Sequence, residues 1–328
     1  MLRRMRVRNR MHRVRAVLSR VARRLGLRPN SRTDTAASAD APGAVSEGAS
    51  TQYWTDFNVT LHREFSTAEE SLEYFHWRNA QYPGYIELMP VTGQDGKVVL
   101  DYGCGPGHDV IGFGVYSRPQ RLIAVDVSPT SLAEARHRAG LHSLAAEFLQ
   151  IVERDNTVPL PSGSVDYIHS SGVIHHTPDP VKVLRELKRL LAPGGCMRVM
   201  VYNYDSLWLH LYVGYQLRIA QGAHPGLGLR EVFTKTTDGE NCPISNVYRP
   251  AEFCALAAEA GLACHYLGAG ISNFELKLFP QRLDAIMDRR LPAEHRDFLI
   301  GLQIDRHGCP LHEGVRAGVD GCYELTHA

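Results

Sequence analysis

The chain has 328 residues, 44% of them hydrophobic, which is enough to bury one large core with decorations. Its formal net charge of +1 hides an asymmetry: residues 1–33 carry twelve Arg and no Asp or Glu, leaving the rest near −11, so a polyanion groove across the body is disfavoured. Seven cysteines, at 104, 196, 242, 254, 264, 309 and 322, lack CxxC or CxC pairing. Free thiols in a reducing, cytoplasmic setting are therefore expected, with no disulfide frame and no structural zinc.

Residues 1–29 place Val7, Met11, Val14, Leu18, Val21 and Leu25 on one stripe of a helix otherwise covered in Arg. Such a basic amphipathic arm suits peripheral contact with anionic lipid. An organelle transit peptide and a frayed extension are the competing readings. Residues 30–50 are mostly Ala, Ser, Gly, Thr, Pro and Asp, a linker with little to bury. No apolar run approaches the roughly 20 residues a membrane span requires.

Residues 51–94 form the next segment, in which Tyr53, Trp54, Phe57, Tyr74, Phe75, His76 and Trp77 precede the first strong strand signal. That signal is "VVLDYGCGPG". Val98-Val99-Leu100 reads as a parallel strand covered on both faces, and the glycines lead into the helical "HDVIGFGVYSR". A strand, a glycine turn and a helix bring backbone N–H groups against a ligand. The spacing is GxGxG, without the third-glycine placement of the dinucleotide fingerprint. Asp101 stands two residues before Gly103, where a carboxylate repels a pyrophosphate and attracts a cation.

The run Leu122–Val125 is a second strand ending in Asp126, placed to accept ribose hydroxyls. Ser128 with Pro129 then starts a helix. A strand over Val165–His169 leads to "SSGVIHHTPDP", and Asp179-Pro180 opens a helix running to a Pro-Gly-Gly stop.

The motifs "VLDYGCGPG", "IAVDVS", "VPLPSGSVDYIHSSGVIHHTPDP" and "RELKRLLAPGGCMRVMVYN" occur in this order. Together they resemble the class I S-adenosylmethionine-dependent methyltransferases, in particular the group containing ubiquinone/menaquinone-type and other small-molecule methyltransferases. The match is firm over residues 95–204 and loose over 237–270. It implies an α/β, Rossmann-like, doubly wound seven-stranded sheet with an antiparallel last strand, here "GVDGCYELTHA", a helical N-terminal lid and helical insertions. Residues 95–204 become the cofactor-binding core, 205–248 a substrate cap, and 249–328 the rest of the core with a helical insertion.

The resemblance further implies S-adenosylmethionine as cofactor. Gly103, Cys104 and Gly105 would lie against its methionine moiety, with Asp101 toward the amino group. Asp126 would hold the ribose and Val127 flank the adenine. Asp155 and Asn156, or Glu153 in their place, would reach the adenine amino group. Ser170 and Ser171 would face the methionine end, and Tyr53 and Trp54 would close over the cofactor. His175 and His176 are the candidate catalytic groups, since an imidazole near neutrality can take a proton from a substrate; packing or hydrogen bonding is the alternative. His307, Cys309 and His312 lack a second sulfur at ligand spacing and are not taken as a metal site.

The activity expected is methyl transfer to a small molecule by in-line displacement, which needs donor and acceptor held in line more than any obligatory side chain. A nucleic-acid acceptor is disfavoured, because "SSGV" stands where base-amino methyltransferases carry Asp/Asn-Pro-Pro-aromatic. The alternatives are an NAD(P)-binding or a non-catalytic protein on the same layered fold. The apolar face Leu207, Leu209, Leu211, Tyr212 and Tyr215 offers either an acceptor pocket or a homodimer surface.

Overall fold

The computed structural model describes residues 48–328; the basic arm and all but the end of the linker lie outside the described residues. The strands are β1 (Val98–Tyr102), β2 (Arg121–Asp126), β3 (Glu147–Gln150), β4 (Val165–Ser171), β5 (Leu191–Tyr202), β6 (Leu262–Gly270), the short β7 (Gln303–Ile304), β8 (Pro310–His312) and β9 (Val315–Arg316), and β10 (Asp320–His327). Seven of them form one sheet in the order β3-β2-β1-β4-β5-β10-β6. β1 to β5 pair in parallel, and β10 enters antiparallel between β5 and β6. The strand order reverses between β1 and β4, which opens a crevice at the carboxyl ends of those strands.

The continuous apolar run of β1 is explained by its two faces. Val99 packs with Val110, Phe113 and Tyr167 on one side, and Leu100 packs with Ile168, Leu184, Leu187 and Phe253 on the other. The helix starts follow the expected chemistry. The Ser128 side chain accepts the Ser131 N–H with Pro129 at the first helical position, and Asp179 accepts the Lys182 N–H with Pro180 behind it. The latter helix ends at Leu190, short of Pro193, because Leu191 onward is already drawn into β5.

Three further features depart from the reading above. The segment Trp208–Ala220 is a wide π-type helix. Its apolar residues are consumed within the chain: Leu207 and Leu211 pack with Ile271, Leu278 and Phe298, and Leu209 packs with Val213, Val232 and Phe233. That face is therefore not available as a dimer surface. The insertion after β6 carries, besides helices Asn273–Leu278, Arg282–Met287 and Ala293–Gly301, a small sheet in the order β7-β8-β9.

The expectation of free thiols throughout fails at one pair, Cys254 and Cys264, which form a disulfide. Cys254 lies on helix Pro250–Glu259 and Cys264 on β6, so the helix folding back on its own strand pairs two residues whose sequence spacing carries no motif.

Candidate active site

The glycine turn is shaped by different needs at each position. Gly103, Gly105 and Gly107 all have positive φ, at 76°, 50° and 78°. A Cβ on Gly103 would stand 2.3 Å from Val173 Cγ2, and one on Gly107 2.9 Å from Ala135 Cβ. At Gly105 a Cβ would meet no protein atom within 4 Å. Close packing explains the first and third glycines, and open space flanks the second, where a ligand can approach the backbone.

Two carboxylates border this turn. Asp101, on β1, is 2% exposed, and its Oδ2 has no hydrogen-bond partner. Burial pushes its pKa up to about 8, with His169 pulling the other way and Asp109 and Asp126 adding to the rise. Asp126, at the end of β2, accepts the Gly105 N–H through Oδ2 and the Ser128 N–H through Oδ1, both at 2.8 Å. Burial raises its pKa as well, against those N–H bonds. Gly103 and Cys104 donate their N–H groups to the Val125 carbonyl, which fixes the turn on β2. Cys104 is buried, and Val127 is half-buried against the core.

The residues read for the adenine end separate. Asn156 is buried with φ 53° and accepts from the Tyr102 hydroxyl at 3.4 Å. Asp155 stands exposed on a turn, and Glu153 accepts the Thr51 N–H at 3.1 Å and the Thr51 hydroxyl at 3.0 Å, tying this loop to the lid helix Ala49–Asp56. On β4, Ser170 is buried with no partner for its hydroxyl, whereas Ser171 shares a hydrogen bond with Tyr85.

Arg78, on helix Ala68–Asn79, gave no sequence signal. Its guanidinium lies over the rings of Tyr82 and Tyr85, at 5.7 and 5.1 Å, and one terminal nitrogen is buried without a partner. Below it His169 faces Asp109 at 3.4 Å. Burial works against the His169 charge, but Asp109 and Asp101 overcome it and raise its pKa. His108 is held well below its ordinary pKa by burial, with Arg78 adding to the effect, and is neutral.

The two histidines after β4 differ. His175 is fully buried, its pKa is held far down by burial and then by His176, and its ring packs 4.0 Å from that of Tyr202. Neither of its ring nitrogens has a hydrogen-bond partner. His176 donates from Nδ1 to the Ile244 carbonyl at 2.6 Å and turns Nε2 toward Asp238 Oδ2 at 3.6 Å. Trp54 meets its ring edge-on at 4.9 Å, and Tyr53 donates its hydroxyl to the Asp238 carbonyl, so both lid aromatics sit on the His176 side of the cleft. The Tyr202 hydroxyl donates to the Asp238 carboxylate at 2.9 Å. Cys242 lies beside this group, its thiol pushed up to about 12 by burial and by Asp238. Asp238 and Cys242, in "DGENC", were not legible because nothing local links them to the His pair. In the tail, His307 and Cys309 receive their structure from Asp305, whose carboxylate accepts both their N–H groups at 2.8 Å.

This set of groups fits S-adenosylmethionine. An ammonium answers the orphaned Asp101 oxygen, a carboxylate answers the unpartnered Arg78 nitrogen, and a ribose diol can use the remaining lone pairs of Asp126. Two acids bordering the turn oppose a pyrophosphate.

The comparisons agree. The family described as "Methyltransferase domain" matches residues 74–267. An uncharacterized 37.1 kDa protein of transposon TN4556 from Streptomyces fradiae is 33% identical over 124 residues, 37% of this chain and 35% of that protein. The ubiquinone biosynthesis O-methyltransferase of Pseudomonas aeruginosa is 29% identical over 206 residues, 59% of this chain and 80% of that enzyme. Among solved structures, geranyl diphosphate C-methyltransferase from Streptomyces coelicolor A3(2) shares the fold, with a TM-score of 0.50 at 15% identity over 88% of this chain and 100% of that one. The chain belongs to the class I methyltransferase-domain family, with S-adenosylmethionine as its methyl donor.

Proposed function

We propose that the protein methylates a small, amphiphilic aromatic acceptor at a hydroxyl oxygen. The observation that carries this reading is the cluster of aromatic rings of Trp54, Tyr202 and His176 beside Asp238 and the Tyr202 hydroxyl. Flat apolar walls with a few polar groups at one end suit a ring bearing a hydroxyl. The likeness to a ubiquinone biosynthesis O-methyltransferase supports the same class.

In this reading Asp101 and Arg78 hold the amino-acid end of the donor, Asp126 holds the ribose, and the backbone at Gly105 lies alongside. When bound, S-adenosylmethionine supplies a methyl group already activated by the sulfonium charge. Trp54, on the lid helix, and Tyr202, at the end of β5, orient the acceptor and keep water out, and placing the two reactants in line supplies much of the rate. The test is a panel of catechols and hydroquinones incubated with the protein and S-adenosylmethionine, read by mass spectrometry. A product heavier by one methylene, formed with S-adenosylhomocysteine, is expected from at least one ring-hydroxylated acceptor. Methyl transfer confined to amines or to protein side chains contradicts the acceptor class.

A further inference from the structure

Asp320, the first residue of β10, is 5% exposed and stands directly opposite Tyr202 of β5, so the two side chains leave the sheet on one face. On its other side it pairs with Gly270 of β6. A Cβ on Gly270 would lie 3.4 Å from Asp320 Cβ and 3.0 Å from Tyr85 Cδ2, so the glycine leaves room for the carboxylate and the tyrosine together. The Tyr85 hydroxyl shares its hydrogen bond with Ser171 at the end of β4. Asp320 therefore sits between the two halves of the site, and both Arg78 and Asp238 act on its charge. The neighbouring acids are already engaged. Glu275 accepts the N–H groups of Ser272 and Trp208, at 2.9 and 3.0 Å, and the Ser272 hydroxyl at 2.8 Å. Asp238 accepts the Tyr202 hydroxyl at 2.9 Å, and Asp109 faces His169. Among the described residues, no hydrogen-bond donor reaches the Asp320 carboxylate. A buried carboxylate left without a donor is costly, and such groups gather where chemistry is done.

We propose that Asp320 is the general base of the reaction, taking the proton of the acceptor hydroxyl as the methyl group arrives. The assignment rests on the acceptor reading above. The donor's carbon–sulfur bond breaks with its electron pair staying on sulfur, which becomes a neutral thioether. The hydroxyl oxygen forms the new carbon–oxygen bond, and its proton passes to the Asp320 carboxylate and then to solvent as the products leave. Burial pushes the Asp320 pKa up to about 7, with Arg78 pulling it down and Asp238 adding to the rise. Tyr82, Tyr85, Tyr202, Glu275 and Cys322 also lie within reach of its charge, and burial raises the pKa of each. A base titrating near neutrality combines a free lone pair with a driving force for proton transfer. His176 is less well placed, because its Nδ1 donates to the Ile244 carbonyl and its Nε2 faces Asp238.

The test uses the full chain, S-adenosylmethionine and the ring-hydroxylated acceptor found by the panel. Asp320→Asn should lower the single-turnover rate at least a hundredfold, with half-saturation by the acceptor little changed. In the parent that rate should fall as pH drops below about 7; the limb should vanish in Asp320→Asn and return in Asp320→Glu. Nitrocatechol, whose hydroxyl is already ionised at neutral pH, should lose far less in Asp320→Asn than catechol does, a difference that a merely structural role would not produce. S-adenosylmethionine binding, measured by calorimetry, checks the folding of each variant. With no acceptor present, carboxyl NMR of the parent should show a group titrating near 7 that is missing from Asp320→Asn. Equal losses for catechol and nitrocatechol, a pH limb that survives in Asp320→Asn, or no such carboxyl would overturn the base. Products confined to amines would count against the acceptor class alone, and the same variants assayed on that amine would still decide the role of Asp320.

Discussion

The Asp126 carboxylate at the end of β2 accepts the amide N–H of Gly105 at 2.8 Å, so one side chain both shapes the glycine turn and faces the ligand space beside it. Asp126→Ala should weaken S-adenosylmethionine binding by about 1–3 kcal/mol, through lost ribose bonds and a loosened turn. Asp126→Asn keeps an acceptor oxygen and should lose less. Calorimetric affinities that are equal for all three proteins would remove Asp126 from the site.

Gly103 and Gly105 should respond differently to alanine. In Gly103→Ala the new Cβ lies 2.3 Å from Val173 Cγ2 at a φ of 76°, so strain and a core clash combine and the melting temperature should fall by several degrees, a cost on the order of 2 kcal/mol or more. In Gly105→Ala the Cβ meets no protein atom within 4 Å, leaving mainly the left-handed backbone penalty of about 1–2 kcal/mol. Cofactor affinity should nevertheless drop at least tenfold, because the methyl enters the ligand's space. Thermal melts with and without S-adenosylhomocysteine separate the two effects.

Asp101 makes cofactor binding depend on pH. Burial raises its folded pKa to about 8, so the cofactor-free protein keeps a proton there that the unfolded chain loses above about pH 4. With more protons bound folded than unfolded, stability should fall as pH rises from about 4 toward 8, by at most about 1.4 kcal/mol per unit from this group. Pairing with the donor's ammonium favours the carboxylate, so binding should release a proton and affinity should climb with pH up to about 8. Titrations in buffers of different ionisation heat measure that release, and Asp101→Asn should abolish it. Binding with no proton release contradicts the assignment.

Arg78 is assigned to the donor's carboxylate on the strength of one buried, unpartnered nitrogen. Arg78→Gln should weaken S-adenosylmethionine by about 1.5–3 kcal/mol, the range of a bond to a charged group. The decarboxylated analogue should bind the variant and the parent equally. A matching loss for both ligands would mean that the substitution disturbs the lid instead.

Much of the nucleotide half was legible because its constraints are local. A covered strand, a turn that needs positive φ and an acid at a strand end each leave a mark within a few residues, as in Val98–Gly107 and Leu122–Asp126. The other half depends on contacts across the chain. Arg78 comes near Asp101 and His169 only because its helix packs on helices His108–Tyr116 and Pro129–Leu141, and Asp238 reaches His176 from 62 residues away in a loop with no periodicity. Cys254 and Cys264 were read as free thiols because helix-to-strand pairing has no spacing rule. The apolar stripe around Leu207 and Leu211 was read as an acceptor pocket or a dimer surface, because sequence alone did not say that the partner was the chain's own insertion.

In the proposed reading, the space between Asp101, Gly105 and Asp126 holds a cationic methyl donor. Calorimetric titration of the full chain with S-adenosylmethionine and, separately, with NADH tests it most directly. One equivalent of S-adenosylmethionine should bind, and NADH should give no binding heat. NADH binding without S-adenosylmethionine binding would contradict the account.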